Sequence, residues 1–147
     1  MEELCFFTAG GKEMALRWYS ALETGIEEID GQHRQLFEQI DRLLESAKSG
    51  AGQDACLRIL DFLGGYVVEH FATEERYMER YGYPKKAEHK QQHAELVEYY
   101  RKMRARVEAE GAKPTLIIQL QHSLVEWLNN HILKSDRDLG DFLKSKR

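Results

Sequence analysis

Apolar residues recur in steps of three and four through most of the chain. Leu36, Ile40, Leu43 and Ala47 keep this spacing, as do Leu60, Leu63 and Val67, then Leu96, Tyr100, Met103 and Val107, and last Ile117, Leu120, Leu124 and Trp127. A period near 3.6 gathers such residues on one face of an α-helix. The pattern breaks at "KSGAGQD" (48–54), at Pro84 behind Gly82 and at Pro114 behind Gly111, where one helix should end and the next begin. A further break is "ETGIEEIDG" (23–31), in which Asp30 is placed to cap a helix starting near Gly31. Four helices are therefore predicted over about 31–47, 54–80, 85–109 and 115–134, with a short fifth piece at 136–144. Period-two runs of β-branched residues are absent, and no sheet is expected. Short connections between long amphipathic helices imply an all-α, antiparallel up-down-up-down four-helix bundle over residues 18–147, with residues 1–17 as an N-terminal extension.

The inward stripe also carries residues that do not belong in oil. His33, His70, Glu74, His89, His93 and His131 all fall where the periodicity calls for leucine, and Tyr77 and Tyr81 continue the stripe of the second helix. One buried polar group without a partner costs on the order of 1–3 kcal/mol, and an unpaired carboxylate more. Several together would exceed the roughly 5–15 kcal/mol by which a domain is stable. Something must satisfy them.

Topology brings them to one level. In an up-down-up-down bundle the start of the first helix, the end of the second, the start of the third and the end of the fourth share one end. Taking about 1.5 Å of rise per residue from the Tyr81–Pro84 turn, Glu74 and His93 both lie about 10–13 Å along their helices. The pairs His70/Glu74 and His89/His93 are each four apart and share a helical face. Five imidazoles and a carboxylate suit borderline transition metals but are too many for one ion, so two metals are implied. Two metals need bridging groups, for which Glu74 is one candidate and Asp136 the other. Asp136 lies five residues beyond His131, off the stripe of an ideal helix unless the helix loosens after Leu133.

His33 in "GIEEIDGQHRQLF", His70 and Glu74 in "HFATEE", His89 and His93 in "HKQQH", and His131 with Asp136 in "HILKSD" resemble, in order and spacing, the seven-ligand signature of the hemerythrins. "YGYP" resembles the turn between the two central helices of bacterial members. The resemblance spans about residues 18–136, Trp18 included. It implies a non-haem di-iron centre with an oxo or hydroxo bridge, in which His89, His93 and His131 bind one iron and His33 and His70 the other. Glu74 and Asp136 would bridge the two. The second iron is then left with an open position for dioxygen, bound reversibly. Two ferrous ions, two carboxylates and one hydroxide leave a net charge of about +1, which disfavours high-valent iron and O–O cleavage compared with four-carboxylate di-iron oxidases. Leu36, Phe71, Trp127 and Ile132 would line a dry ligand pocket. The resemblance thus implies an oxygen carrier or store and not an enzyme. The alternatives are an oxygen or redox sensing module acting through a partner, with the stretch Cys5-Phe6-Phe7 as a contact, or a di-iron peroxidase or nitric oxide scavenger.

Composition narrows the rest. The chain has 147 residues, enough for one domain with a real core, and its 31% charged and 42% hydrophobic residues are a globular balance. A net charge of −4 with scattered positive residues argues against nucleic acid as a partner. No apolar run reaches the roughly 18–20 residues of a membrane span, so no membrane insertion is expected. "MEELCFFTAGG" has acids where a signal peptide carries positive charge, and a cytoplasmic location is expected, with Cys5 and Cys56 as thiols. The expected partners are dioxygen and an electron donor that re-reduces ferric protein, and the expected state is a monomer. His122 lies off the stripe and is expected at the surface. Glu75, rotated about 100° from Glu74, is expected to be solvated, and Gly64-Gly65 to permit close helix packing.

Overall fold

The computed structural model describes residues 8–9, 12–13, 20–50 and 52–146. Trp18 and the Cys5-Phe6-Phe7 stretch lie outside the described residues. Four long helices dominate: α1 (Glu27–Lys48), α2 (Gln53–Tyr81), α3 (Lys86–Glu110) and α4 (Pro114–His131). The last runs through a π-helical stretch, Ile132–Asp136, directly into α5 (Arg137–Lys144), with no break between the fourth helix and the short piece predicted after it. α1 packs on α2 and α4, and α3 on α2 and α4, the neighbour pattern of an antiparallel four-helix bundle. The expectation of no sheet fails at one place outside the bundle. There β1 (Thr8–Ala9) and β2 (Lys12–Glu13) form a two-residue antiparallel ladder that pairs Thr8 with Glu13 and Ala9 with Lys12.

Local chemistry sets the helix ends. α2 stops at Gly82, whose φ of 67° is left-handed and whose N–H bonds to the Met78 carbonyl, and Pro84 follows where the helix cannot continue. α3 ends at Gly111, and α4 opens on Pro114, which needs no N–H partner in a first turn. α1 begins four residues earlier than predicted. Asp30 does not cap it from outside; it is buried in the first turn and reaches back to accept bonds from the Thr24 N–H and hydroxyl, at 2.9 and 2.8 Å, and from the Gly25 N–H. This pins the chain entering the bundle.

The apolar stripes form two buried clusters. The larger, including Leu36, Ile40, Leu60, Leu63, Phe71, Leu120, Leu124 and Ile132, fills most of the bundle. The smaller, made of Ile26, Ile29, Met78, Tyr83, Leu139 and Leu143, closes one end. Two predicted stripe positions are corrected here. Tyr81 is exposed and Tyr77 only half-buried, because its hydroxyl reaches the exposed Glu28 carboxylate, while the fully buried Met78 fills the core between them. Cys56 is a buried free thiol, and His122 is exposed, as expected.

The glycine pair behaves unevenly. A Cβ on Gly64 would sit 2.8 Å from the Tyr100 ring, so this residue does permit close packing, whereas Gly65 faces open space. A closer approach occurs at Gly140, where a Cβ would lie 2.4 Å from the Thr24 carbonyl oxygen as α5 folds over the pinned entry segment. Backbone cannot yield there as a flexible side chain can. Gly140→Ala is therefore expected to destabilise the protein by about 1–3 kcal/mol in urea denaturation. Gly65→Ala should stabilise it by about 0.5–1 kcal/mol through helix propensity alone.

Candidate metal centre

All seven residues singled out by the sequence meet between the two apolar clusters, and each is at most 5% exposed. Core residues bracket five of them along the chain: Ile29 and Leu36 around His33, Val67 and Met78 around His70 and Glu74, and Leu128 and Leu139 around His131 and Asp136, while Leu96 follows His89 and His93. The π-helical stretch is what admits Asp136. Five residues beyond His131, an ideal α-helix would have turned it about 140° off the ligand face, and the wider π turn returns it inward. The loosening expected after Leu133 thus begins at Ile132.

The inward nitrogens and oxygens fall into two overlapping groups. One joins Glu74, His89, His93, His131 and Asp136, the other His33, His70, Glu74 and Asp136, with donor atoms inside each group within 4.8 Å of one another. Both carboxylates are divided between them. Glu74 places Oε1 3.1 and 3.0 Å from Nε2 of His89 and His93, and Oε2 3.0 and 3.4 Å from Nε2 of His70 and His33. Asp136 places Oδ1 3.0 and 3.1 Å from Nε2 of His89 and His131, and Oδ2 3.0 Å from Nε2 of His33. One oxygen of each acid therefore serves each group.

For three of the rings, the outward nitrogens explain why these short distances are not ordinary hydrogen bonds. Nδ1 of His70 faces the Gln32 carbonyl oxygen at 2.7 Å, Nδ1 of His131 faces that of Gln92 at 2.8 Å, and Nδ1 of His93 faces the Glu75 carboxylate at 3.0 Å. These oxygens only accept, so each Nδ1 carries a proton, and a ring in its neutral form turns a lone pair inward from Nε2. The Gln32 amide is itself oriented by donating to Thr73, whose hydroxyl donates to the Glu69 carbonyl. Ser135 donates to the same Gln92 oxygen at 2.7 Å. Inside, Nε2 of His131 and of His89 stand 3.1 Å apart. The lone pairs of His70, His93 and His131 facing carboxylate oxygens at about 3 Å repel them unless positive charge lies between. Metal–nitrogen and metal–oxygen bonds of about 2.0–2.2 Å at right angles separate neighbouring donors by about 3 Å, so the donor set fits cations.

The three outer acceptors were not found from sequence, and Glu75, expected in solvent, is half-buried against His93. A signal did exist. Gln32, Glu75 and Gln92 each sit beside a ligand on one helix and reach a ligand on the next, as the roughly 100° step between successive helical residues allows.

A family model described as "Hemerythrin HHE cation binding domain" matches residues 24–143. The chain belongs to the hemerythrin family. Among relatives, it is 33% identical over 130 residues to a bacteriohemerythrin of Stenotrophomonas maltophilia, covering 88% of this chain and 82% of that one. It is 32% identical to a bacteriohemerythrin of Methylococcus capsulatus, covering 90% of this chain and all of the other. A crystal structure of wild-type hemerythrin superposes with a TM-score of 0.76 at 32% identity, covering 88% of this chain and 98% of that one. No helix among the described residues is long and apolar enough to cross a membrane.

Without cations, this hemerythrin-family centre must hold protons instead. Burial acts to lower His33, yet Asp136 and Glu74 outweigh it and raise the ring to about 9. The same contest raises His89 and His131 to about 9, while at His70 burial prevails and lowers it. Burial pushes Glu74 and Asp136 upward, but the surrounding imidazoles hold both below the ordinary carboxylate range. These protons belong to the cluster and not to single rings. Groups raised from about 6.5 in the unfolded chain to about 9 in the fold give stability that is complete below pH 6.5 and lost as pH rises through 9. The depressed carboxylates give stability that is lost only on acidification. Metal-stripped protein should therefore lose on the order of 5 °C or more in Tm between pH 6.5 and 9. Cation-loaded protein, in which metal replaces the protons, should hold its Tm over the same window. Thermal melts of the two forms followed by circular dichroism check this, and a stripped form that gains stability toward pH 9 would contradict it.

Proposed function

We propose that the chain is an oxygen carrier or store that binds dioxygen reversibly at a non-haem di-iron centre, and that it is not an enzyme. The observation that carries this reading is the division of Glu74 and Asp136, each giving one oxygen to a three-imidazole group and one to a two-imidazole group. His89, His93 and His131 would hold one iron, His33 and His70 the other, and the two acids would bridge them alongside a solvent-derived oxo or hydroxo group. When bound, the two ferrous ions supply the two electrons that a dioxygen molecule takes up and returns. The relatives named bacteriohemerythrin and the family's cation-binding description support the same assignment.

The protein's own part is positional. The two-imidazole group has one protein donor fewer than the other, which leaves room there for a small ligand. Gln32, Gln92 and Glu75 fix three rings so that their lone pairs face the metals without rearrangement. Leu36, Phe71, Trp127 and Ile132 would keep water and protons away. Leu36, Phe71 and Ile132 are buried in the main apolar cluster, Phe71 stacks on His93 with ring centres 3.7 Å apart, and the half-buried Trp127 stacks on His131 at 4.5 Å. Dry surroundings favour release of intact dioxygen over loss as a protonated reduced species. The unit doing this work is residues 18–147, with 1–17 as an extension, acting as a cytoplasmic monomer re-reduced by an electron donor when it autoxidises.

Chain reconstituted anaerobically with ferrous iron should contain two irons, develop a visible charge-transfer band in air and bleach on degassing over repeated cycles. Glu74→Ala should cut the iron content by half or more and abolish the band. Colour that never bleaches, or wild-type protein that takes up no iron, would defeat the proposal.

A further inference from the structure

The tethers on the outward nitrogens differ in charge. His70 and His131 are held by the neutral amides of Gln32 and Gln92, and each amide is shared with a second hydroxyl, Thr73 or Ser135. Of these three tethered rings, His93 is the one held by an acid, Glu75, whose side chain is 31% exposed. Water can solvate the oxygen that His93 does not use. Nδ1 of His89 has no hydrogen-bond partner among the described residues. Among the described residues, outer-sphere negative charge therefore reaches the three-imidazole group through one ring.

An imidazole whose Nδ1–H is bonded to a carboxylate is a stronger donor through Nε2 than one bonded to an amide, because the acid draws the proton toward itself and leaves more electron density on the ring. The two groups also differ in how they can meet the extra positive charge of oxidised metal. The group of His33 and His70 has room for an anionic ligand, whereas the group of His89, His93 and His131 already has five protein donors, none of its three rings being charged when metal is bound. Its coordinating acids, Glu74 and Asp136, are shared with the other group, so a further anion on that side lies outside the coordination sphere.

We propose that Glu75 is a positioning residue that acts through His93 to stabilise the higher valence of the metal in the three-imidazole group. This rests on the di-iron reading above. The residue never touches the metal or dioxygen. Its negative charge, and not merely its ability to orient the ring, is what sets how readily the centre gives up electrons, and so how tightly oxygen is held.

The conservative variant separates charge from orientation. Glu75→Gln keeps an acceptor oxygen for His93 and removes the charge, whereas Glu75→Leu removes both. In anaerobic spectroelectrochemical titration of the iron-loaded proteins, Glu75→Gln should favour the ferrous state about tenfold more than wild type, a rise of about 59 mV for a one-electron couple. It should also need a higher oxygen pressure for half-saturation. Zinc affinity, measured by competition with a chromophoric chelator, should stay within a few-fold of wild type in Glu75→Gln and fall about 10–100-fold in Glu75→Leu. A Glu75→Gln protein with wild-type potential overturns the inference, whether or not Glu75→Leu loses metal. A wild type that takes up no iron overturns the di-iron reading and this inference with it, whereas two irons with an unmoved potential overturn the inference alone.

Discussion

Two buried carboxylates govern this bundle. Glu74 and Asp136 sit between two apolar clusters, with almost no exposure to water, and no lysine or arginine is paired with either among the described residues. Ionised acids in such a place demand positive charge nearby, because isolated burial costs far more than a domain's whole stability margin. Among the described residues the neighbours able to answer are imidazoles, which supply charge in one of two ways: they take up protons, or they turn lone pairs inward and share metal ions. The raised rings of His33, His89 and His131 describe the first state, and the outer acceptors prepare the second.

That demand explains features of the backbone that would otherwise look like flaws. A π-helical stretch costs regular hydrogen bonding, yet at Ile132–Asp136 it is the means by which one helix delivers both His131 and Asp136 to one point. An acid one turn from a histidine requires no such distortion to share its face, as Glu74 shows by following His70 by four residues. The end of the bundle nearest the site is also closed: Asp30 ties the entry segment to α1, Gly140 lets α5 press against Thr24, and Met78 and Tyr83 complete a second small core. A centre four or five residues from a frayed helix end would be open to water.

Much of this was readable from residue order. Periodicity located four helices to within a few residues, because each pairs a long apolar stripe with Gly or Pro at its end, and the same periodicity exposed the histidines as residues in the wrong place for a simple core. The spacing from His131 to Asp136 also signalled the backbone change between them. The misses have a common cause. Tyr77 and Tyr81 fit the stripe's phase, but a hydroxyl-bearing ring near a helix end can turn to the surface and Met78 can fill the space, a choice that depends on neighbours in other helices. Asp30, Glu75 and the paired β-strands likewise depend on contacts across elements, which a single helix's pattern does not contain.

The tethers show how the bundle uses one helix to organise the next. Gln32 beside His33 holds His70, Glu75 beside Glu74 holds His93, and Gln92 beside His93 holds His131, so the chain of support passes from α1 to α2, from α2 to α3 and from α3 to α4. Because each link joins the neighbour of one cluster residue to a cluster histidine on another helix, a shift of any one helix disturbs donors on two. Such coupling makes the site's geometry a property of the packed bundle and not of any one motif, and it makes the ring tautomers a consequence of packing. A histidine free to choose its tautomer would present a proton to the centre about as readily as a lone pair. With Nδ1 of His70, His93 and His131 committed outward, these rings face Glu74 and Asp136 with donors whose repulsion from the carboxylates protons or metal ions relieve.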